Sequence, residues 1–532
     1  MTCFKNFVIG FLSILFLIIF SFLFCLSLFT TGLNLTYDSE IPTLVNDNVL
    51  INFLLIFVTI GIIYLLYKFI KKFINRNVLL ILSVIACVGF SILWVLSSNV
   101  EPDADQTAVC YFAHYFNDLN YFGLIKGEYV GKNQQQLGLI SVIQIVYKLF
   151  GDGNYRAFQF LNTAFIGLFI VSNDMIIRNS HFKNKEDAEI IYLLLATSFI
   201  PLFIYSDYVY GEVISIASIS LCFWMICSFL NNPKIYKFLL LIFSGFLSCY
   251  VRLNSIIFII AAILVLFVGL VMEYNNKKLF TLIGILIAGA SALIVPKLIY
   301  GKYIPNDSHS MPATLYIAMG MQGDVGWFNS YNTDTYIVVD ADPIEADAWA
   351  RGSINIQIDY FRKNPNNCLK FYYNKINLQW NSPMMQSLWM NHKFNGYPGR
   401  LAISIYEGKL NSVLNVISNC HQMFVYLMCI IFSISIFKEK ENVKIEELIY
   451  VVFVIGGFLF SILWEAKTRY ILPYYSMLLI EASFGLSIFI NKYINKKNIV
   501  KWIKNIKILI MLKLNVLKGR DELCQYLKIK HY

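Results

Sequence analysis

Charged residues are scarce in this sequence. Asp, Glu, Lys and Arg together make up 14% of its 532 residues, whereas hydrophobic residues make up 58%. A soluble chain carries about 25% charged and roughly 45–50% apolar residues. The mean hydropathy is +0.60. This balance excludes an ordinary soluble enzyme and predicts a polytopic membrane protein, to which the domain counts of soluble chains do not apply.

Cysteine and histidine patterns typical of metal or redox sites are also lacking. The 11 cysteines are scattered, and several lie inside apolar runs, where they behave as small hydrophobic residues. Only Cys110 and Cys368 fall in long polar segments, where they could pair in a disulfide. His114 and His309 lack metal-ligand spacing. We therefore predict no metal site and no bound cofactor, and leave a role for a divalent cation open.

Long apolar runs are abundant. A helix needs about 20 apolar residues to cross a bilayer. We count about twelve such runs and therefore predict an all-α bundle, with the run at 236–250 as the shortest. The runs are residues 7–30, 49–67, 78–97, 155–177, 188–206, 213–230, 236–250, 255–272, 278–296, 418–437, 446–464 and 470–490. The apolar stretch 136–150 is too short to span, so we expect it to form a helix at the membrane surface.

The basic residues predict the orientation of the bundle. The net charge of +10 arises largely from lysines and arginines in alternate short loops and in the C-terminal segment. Because such clusters stay on the cytoplasmic side, we predict a cell-membrane protein with both termini in the cytoplasm and no nucleic-acid partner. Arg252, Lys467 and Arg469 are the conspicuous exceptions, since they fall on the outer side.

This topology divides the chain into six segments. They are three N-terminal spans (1–97), a first outer loop with an acidic motif and surface helices (98–154), a transmembrane core (155–296), a large outer-loop subdomain (297–417), three C-terminal spans (418–490) and a basic amphipathic cytoplasmic tail (491–532). Surface helices are expected in the large loop at about 343–360 and 367–380.

Three carboxylates follow the third apolar run directly. Glu101, Asp103 and Asp105 lie within five residues, next to Gln106. Acidic side chains so close to hydrocarbon are costly unless they are solvated or used. The segment is therefore either a solvated membrane loop or the catalytic edge of a membrane enzyme.

Further polar clusters are predicted on the same outer side. They are Asp207, Tyr210 and Glu212 in one tight turn, Arg252 in another, and Glu465, Lys467 and Arg469 before the last run. A carboxylate beside cationic side chains can deprotonate a hydroxyl while a phosphate is neutralised. The alternatives are that the acids only solvate their turns and that the basic side chains anchor at lipid headgroups.

Two acidic residues fall in or near apolar runs. Asp174 precedes Arg178 by four residues, which predicts a local ion pair at a helix end. Glu481 lies inside the last run, and the sequence gives no account of its role.

The outer features, in this order, resemble the GT-C superfamily of membrane glycosyltransferases, which includes protein O-mannosyltransferases and lipid A aminoarabinose transferases. The acidic motif at 102–106 and the helix ending at 149–151 are similar to the first outer loop of those enzymes. The turn 205–212 resembles a second acidic site, and the stretches 319–326 and 464–473 resemble segments of bacterial members.

The resemblance covers residues 78–490 and has two departures. Three spans precede the acidic loop, where the best-known members have one. The common Asp-Glu pair is absent, so Asp103 and Asp105 both compete for the catalytic position, and the Pro-x-x-Asp-Gln spacing favours Asp105.

The resemblance implies a GT-C-like hexosyltransferase that moves a sugar, with inversion, from a polyprenyl-phosphate donor to a hydroxyl of a surface glycan, lipid or protein at the outer face. Asp105 would be the base, with Asp103 as the alternative, and Asp207 would orient the acceptor or share the acid–base role. Arg252, Lys467 and Arg469 would hold the phosphate. Residues shaping the loop or contacting the acceptor would be Glu101, Gln106, Tyr210, Glu212 and Glu465.

Three other functions stay open at this level. A lipid or glycan flippase or transporter is one, although such proteins place ionisable residues at mid-membrane and the runs here hold few. A polysaccharide polymerase or ligase that uses a polyprenyl-diphosphate donor is the second. A non-catalytic assembly protein is the third.

Overall fold

The computed structural model describes residues 2–34, 39–327 and 342–494. Within these ranges the chain is almost entirely helical. The predicted amphipathic tail at 491–532 lies outside the described residues from position 495 onward.

Twenty α-helices and one β-hairpin are described. They are α1 Thr2–Phe29, β1 Thr30–Leu33, β2 Thr43–Asn46, α2 Val49–Phe73, α3 Arg76–Ser98, α4 Asp105–Asn117, α5 Tyr129–Lys132, α6 Leu137–Phe150, α7 Tyr155–Asn179, α8 Lys185–Thr197, α9 Ile200–Ile204, α10 Glu212–Asn231, α11 Ile235–Val251, α12 Ile256–Met272, α13 Asn276–Tyr300, α14 Ala313–Met319, α15 Pro343–Lys363, α16 Pro365–Trp380, α17 Arg400–Tyr406, α18 Lys409–Lys438, α19 Ile449–Leu463 and α20 Leu472–Phe489.

The predicted all-α, many-span architecture is confirmed. All twelve predicted runs are helical, and ten of the described helices are long and apolar enough to cross a membrane. The run at 188–206 is a pair, α8 and α9, bent by 54°. Pro201 stands in the first turn of α9, where its missing N–H and fixed φ suit a helix start but not the continuation of α8. The run at 236–250 becomes α11, with 17 residues.

The β-hairpin was not predicted. Strands β1 and β2 pair antiparallel between α1 and α2, with Thr30 opposite Asn46. The Gly32 amide donates to the Asn381 carbonyl at 2.9 Å, so the hairpin is tied to the segment that follows α16. This places residues 39–42, at the turn of the hairpin, beside the large loop.

Helix α20 lies at the centre of the bundle and α2 at its periphery. The most apolar stretch of the span containing α20 is 89% buried, against 11% for α2. Neighbours of α20 include α8, α18 and α19. Glu481, on α20, is buried in this interior, where its Oε2 has no hydrogen-bond partner among the described residues.

The bundle has two chemically different ends. The basic end carries the connections α2–α3, α7–α8, α10–α11, α12–α13 and α18–α19. Arg178 and Asp174 pair there at 2.7 Å, which confirms the predicted ion pair. The loop end carries residues 98–154 and the large loop after α13. Which end faces the cytoplasm stays a prediction.

Helices α4, α6, α15 and α16 build the loop end. Helix α6 confirms a short helix at 136–150; it packs against α4, α7 and α11, while Ile145, Leu149 and Phe150 remain exposed. The disulfide that the sequence left possible between Cys110 and Cys368 is not formed, because both are free thiols. Cys110 lies on α4 in the main core, whereas Cys368 packs beside Phe361 and Phe371 in a separate cluster.

Candidate active site

The acidic segment is held as an extended strip against the large loop. Asn99, with φ of 53°, ends α3 in the left-handed region. The Glu101 amide then donates to the Lys393 carbonyl at 3.0 Å, and the Glu101 carboxylate pairs with the Lys393 ammonium at 3.2 Å. Glu101 thus attaches the acidic segment to the large loop.

Asp105 opens α4 at the mouth of the bundle. Its side chain is 42% exposed, and one carboxylate oxygen accepts a hydrogen bond from the Tyr129 hydroxyl at 3.3 Å. The other oxygen lies 3.5 Å from the Arg469 guanidinium. Asp103 is partly exposed and makes no side-chain hydrogen bond or ion pair within the described ranges. Of the two candidate bases, Asp105 alone is brought against a cation.

Arg469 is buried directly behind Asp105. Its side chain is 4% exposed, it donates to the Tyr208 hydroxyl, and its guanidinium lies 5.6 Å from the ring centre of Tyr210 and 5.4 Å from that of Tyr470. Its Nε has no hydrogen-bond partner in the part of the chain described. A buried guanidinium is costly unless its charge is compensated. The tyrosines and the Glu212 and Asp105 carboxylates compensate the charge of Arg469, and among the described carboxylates only Asp105 lies within 4.0 Å of it.

Arg252 lies against the same two aromatic rings. It pairs with Glu212 at 3.0 Å, and its guanidinium lies 5.3 Å from Tyr210 and 5.4 Å from Tyr470. Burial lowers the pKa of Arg252, but the Glu212 carboxylate together with Tyr210 and Tyr470 outweighs it, and the pKa is raised overall. Arg252, Arg469 and Glu212 line one small cavity. The two arginines are therefore brought together across a pair of tyrosines.

Lys467 is neutralised more completely than Arg469. Its ammonium lies 3.1 Å from the Glu40 carboxylate and 3.5 Å from that of Glu465. Burial would lower the pKa of Lys467, but these two carboxylates raise it above its usual value. For the carboxyl group of Glu465 the effect of burial has the opposite sign: burial raises its pKa, whereas the charge of Lys467 lowers it.

Asp207 stands apart from this cluster. Its side chain is fully buried, and one carboxylate oxygen accepts from the Ser98 hydroxyl at 2.6 Å. Gln106 connects the two regions, because its Oε1 accepts from the Val209 amide at 2.8 Å while its Nε2 donates to the Met390 carbonyl at 3.1 Å. Gln106 thereby locks the start of α4 to the turn before α10.

Four residues of the site were not singled out from the sequence. Tyr129 contacts Asp105, Tyr208 contacts Arg469, and Glu40 pairs with Lys467. Gln386 accepts from the Arg469 amide at 3.1 Å and donates to the Glu40 carbonyl at 3.1 Å. Tyr208 could have been found from the sequence, since it directly follows the candidate residue Asp207. Glu40 and Gln386 come from segments far in sequence from the residues they contact, whereas Tyr129 lies in the same loop as Asp105.

The stretches 319–326 and 464–473 also meet. The Ala466 amide donates to the Gly326 carbonyl at 2.7 Å. Gly326 has φ of 66°, and a Cβ there would lie 2.2 Å from the Gly320 carbonyl oxygen, so glycine is required. This junction fixes the backbone just before Lys467 and Arg469. Among the described residues, no group of three His, Cys, Asp or Glu is arranged to hold a metal ion.

No protein-family model matches the chain, and no curated protein sequence matches it. A distant structural similarity exists to the archaeal oligosaccharyltransferase AglB from Archaeoglobus fulgidus, solved in complex with an inhibitory peptide and a dolichol-phosphate. AglB is a GT-C membrane glycosyltransferase. The TM-score is 0.43 and the identity 12%; the match covers 82% of this chain and 52% of that chain, so this chain spans about half the length of AglB.

Proposed function

We propose that this protein is a GT-C-type glycosyltransferase. It transfers a sugar from a polyprenyl-phosphate donor to an acceptor hydroxyl on a surface glycan, lipid or protein, with inversion, at the outer face of the cell membrane. The observation that carries the proposal is the Asp105–Arg469 arrangement. A half-exposed carboxylate stands in front of a buried, incompletely paired guanidinium, at the boundary between apolar helices and polar loops.

Asp105 acts as the general base. The acceptor O–H gives its proton to the Asp105 carboxylate, the acceptor oxygen bonds to the anomeric carbon of the sugar, and the bond from that carbon to the phosphate oxygen breaks. The electron pair leaves with the polyprenyl phosphate. Exposure of Asp105 gives the acceptor access to it, and Tyr129 orients the carboxylate.

Arg469 is the first choice for binding the departing phosphate. Arg252 is already paired with Glu212, and Lys467 with Glu40 and Glu465. Arg469 donates to the neutral Tyr208 hydroxyl, its contact with the Asp105 carboxylate is long, and its Nε has no described partner. The contact of 3.5 Å would open to admit the sugar between base and cation, and the phosphate would then accept the guanidinium donors.

The remaining polar residues of the site position the acidic segment or balance the charges of the basic residues. Glu101 and Gln106 hold the acidic segment in place, and Tyr210 separates the two arginines. Glu212 and Glu465 balance the charge of Arg252 and Lys467. Asp207 has a structural role in its turn, since its buried carboxylate is not accessible to a substrate.

The test is transfer by Asp105→Asn in isolated membranes supplied with a panel of radiolabelled polyprenyl-phosphate monosaccharides. We expect a fall of about 10²-fold or more, the usual contribution of a positioned base. Asp103→Asn is the matched control and should retain most of the activity. Undiminished transfer by Asp105→Asn would refute the assignment. Mass spectrometry of surface glycans and lipids from a deletion strain identifies the sugar and acceptor by what disappears.

A further inference from the structure

Tyr129 contacts helix α4 at two points. Asp105 and Phe112 are seven residues apart, about two turns, so they lie on the same face of α4. The ring of Tyr129 lies nearly parallel to that of Phe112, with ring centres 6.3 Å apart, while its hydroxyl donates to the Asp105 carboxylate at 3.3 Å. Phe112 is buried. Packing therefore holds the Tyr129 ring in addition to the hydrogen bond.

The Tyr129 hydroxyl has a second polar neighbour. It shares a hydrogen bond with the Tyr210 hydroxyl, and the Tyr210 hydroxyl in turn accepts from the side-chain amide of Gln136, directly before α6. Tyr210 is buried, and Gln136 and Tyr129 are half-buried. We call these three side chains the tyrosine chain. It joins α5, the turn before α10 and the start of α6 to one carboxylate.

Both hydroxyl groups of the chain keep their protons. Burial raises the pKa of Tyr129 above its usual value, and the neighbouring Tyr210 and Asp105 raise it further. Burial also raises the pKa of Tyr210, and the Asp105 carboxylate adds to this effect, whereas Arg252 and Arg469 act in the opposite direction. Each tyrosine therefore has one proton to donate and an oxygen that can accept.

The Gln136 amide affects where the Tyr129 proton is placed. Because this amide donates to the Tyr210 oxygen, the Tyr210 proton is available for the oxygen of Tyr129. The Tyr129 proton then remains for the Asp105 carboxylate, which is the stronger acceptor because it is charged. The charged and titratable groups that face Asp105 are Arg469, Tyr129, Tyr208 and Tyr210.

We infer that the tyrosine chain is a set of positioning residues that sets the pH range in which Asp105 acts as a base. A hydrogen bond to the charged form of a carboxyl group favours that form. The chain therefore keeps Asp105 deprotonated, and able to take the proton of the acceptor hydroxyl, at lower pH than Arg469 alone would. The inference rests on the proposed role of Asp105 as the base.

The first test measures the protonation of Asp105 without a transfer assay. A water-soluble carbodiimide reacts with protonated carboxyl groups, and mass spectrometry with peptide fragmentation gives the labelled fraction at Asp105 in purified full-length protein at each pH. We expect the labelling midpoint of Tyr129→Phe to lie about one pH unit above that of the wild-type protein, which corresponds to one hydrogen bond to a charged group. Gln136→Leu should shift the midpoint in the same direction by a smaller amount, because it acts through two hydroxyl groups.

Gln135→Leu is the matched control. The Gln135 amide donates to the Asn133 side chain at 3.2 Å, outside the tyrosine chain, so the labelling midpoint of this variant should equal that of the wild-type protein. Tyr129→Phe keeps the ring that packs on Phe112, and this variant decides the test even if Gln136→Leu fails to fold. Equal midpoints for Tyr129→Phe and the wild-type protein would overturn the inference.

Sugar transfer by the same proteins separates this inference from the proposed function. If Asp105 is the base, the acid limb of the pH–rate profile of Tyr129→Phe moves to higher pH by the same amount as the labelling midpoint, and the rate at alkaline pH is largely kept. A shifted labelling midpoint with an unchanged transfer profile would contradict the role of Asp105 as the base, but not its contact with the tyrosine chain. Loss of transfer at every pH without a shift in labelling would show that Tyr129 is only structural, and would overturn the inference.

Discussion

Arg469 combines features that a lysine in the same place would lack. Its guanidinium contacts the Tyr208 hydroxyl, the faces of two further tyrosines and the Asp105 carboxylate at the same time. A planar, delocalised cation can stack on rings and still present donors at its edge, whereas an ammonium is a compact and strongly hydrated point charge. The residue type at this position is therefore part of the proposed chemistry.

Arg469→Lys should lower sugar transfer by about 10²-fold even though the charge is kept, because the donors facing the phosphate are lost. Arg469→Gln should lower transfer further. Rates are measured in membranes with the lipid-linked donor, alongside Arg400→Gln, which removes an exposed arginine at the start of α17, as the control. Full activity in Arg469→Lys would mean that only charge matters at this position.

Glu212 and Arg252 provide a test of pairing that does not depend on activity. Glu212 is 1% exposed, so Arg252→Gln leaves a buried carboxylate without its partner and should cost about 3–5 kcal/mol of folding free energy. The double variant Arg252→Gln with Glu212→Gln should recover most of that loss. The measurement is unfolding of the detergent-solubilised protein, and additive effects of the two substitutions would contradict a coupled pair.

Sequence patterns identified most charged residues of the site. They predicted less well how buried each side chain is and which residues it contacts. Arg252, Lys467 and Arg469 stood out because they break the distribution of basic residues between the two sides of the membrane, and all three lie in the loop-end cluster. Nothing in the sequence of the short turn 205–212 indicated that Asp207 would be fully buried. Glu40 was not found, because its contact with Lys467 depends on how the hairpin packs against the large loop.

At the scale of elements, helix α16 carries an unusual support for the site. Lys375 is fully buried and donates to the carbonyls of Ile462 and Trp464 at 2.9 and 2.8 Å, and also to that of Gly320. The carbonyls of Ile462 and Trp464 lie where α19 ends, and that of Gly320 directly follows α14; carbonyls at a helix C-terminus lack partners within the helix. Lys375 thus joins α16 to the backbone that leads to Arg469.

Lys375→Met should destabilise the protein by about 3 kcal/mol or more, because several buried carbonyls lose their donor. Thermal unfolding of the purified protein, followed with a thiol-reactive dye, measures the effect. Lys370→Met, on the exposed face of the same helix, should leave the transition unchanged. Equal transitions for both variants would show that Lys375 is not a structural link.

Helix positions were largely predictable, because apolar run length reflects the bilayer that each helix must cross. The bend between α8 and α9 and the β-hairpin were less predictable. The bend between α8 and α9 had a local signal in Pro201, but the run appeared continuous in hydropathy. The hairpin β1–β2 had none, since its strands are four residues each and are held by a segment more than three hundred residues away.

At the scale of the whole molecule, the fold separates two kinds of polar chemistry. Ion pairs between connecting segments, such as Lys71 with Asp187 and Lys183 with Glu439, gather at the basic end. The acidic segment, the paired arginines and the large loop gather at the other. The proposed use of a lipid-linked donor at the outer face requires that these ends lie on opposite sides of the membrane, with the basic end in the cytoplasm.

This orientation can be measured with single cysteines placed at exposed positions outside the site. Asp118→Cys lies at the loop end and Tyr274→Cys at the basic end, in a background where all 11 native cysteines are replaced by serine or alanine. A membrane-impermeant maleimide should label Asp118→Cys in intact cells and Tyr274→Cys only after permeabilisation. The physical reason is that basic loops resist translocation, whereas the acidic segment carries no such barrier. The reverse labelling pattern would place Asp105 in the cytoplasm and remove the basis for transfer at the outer face.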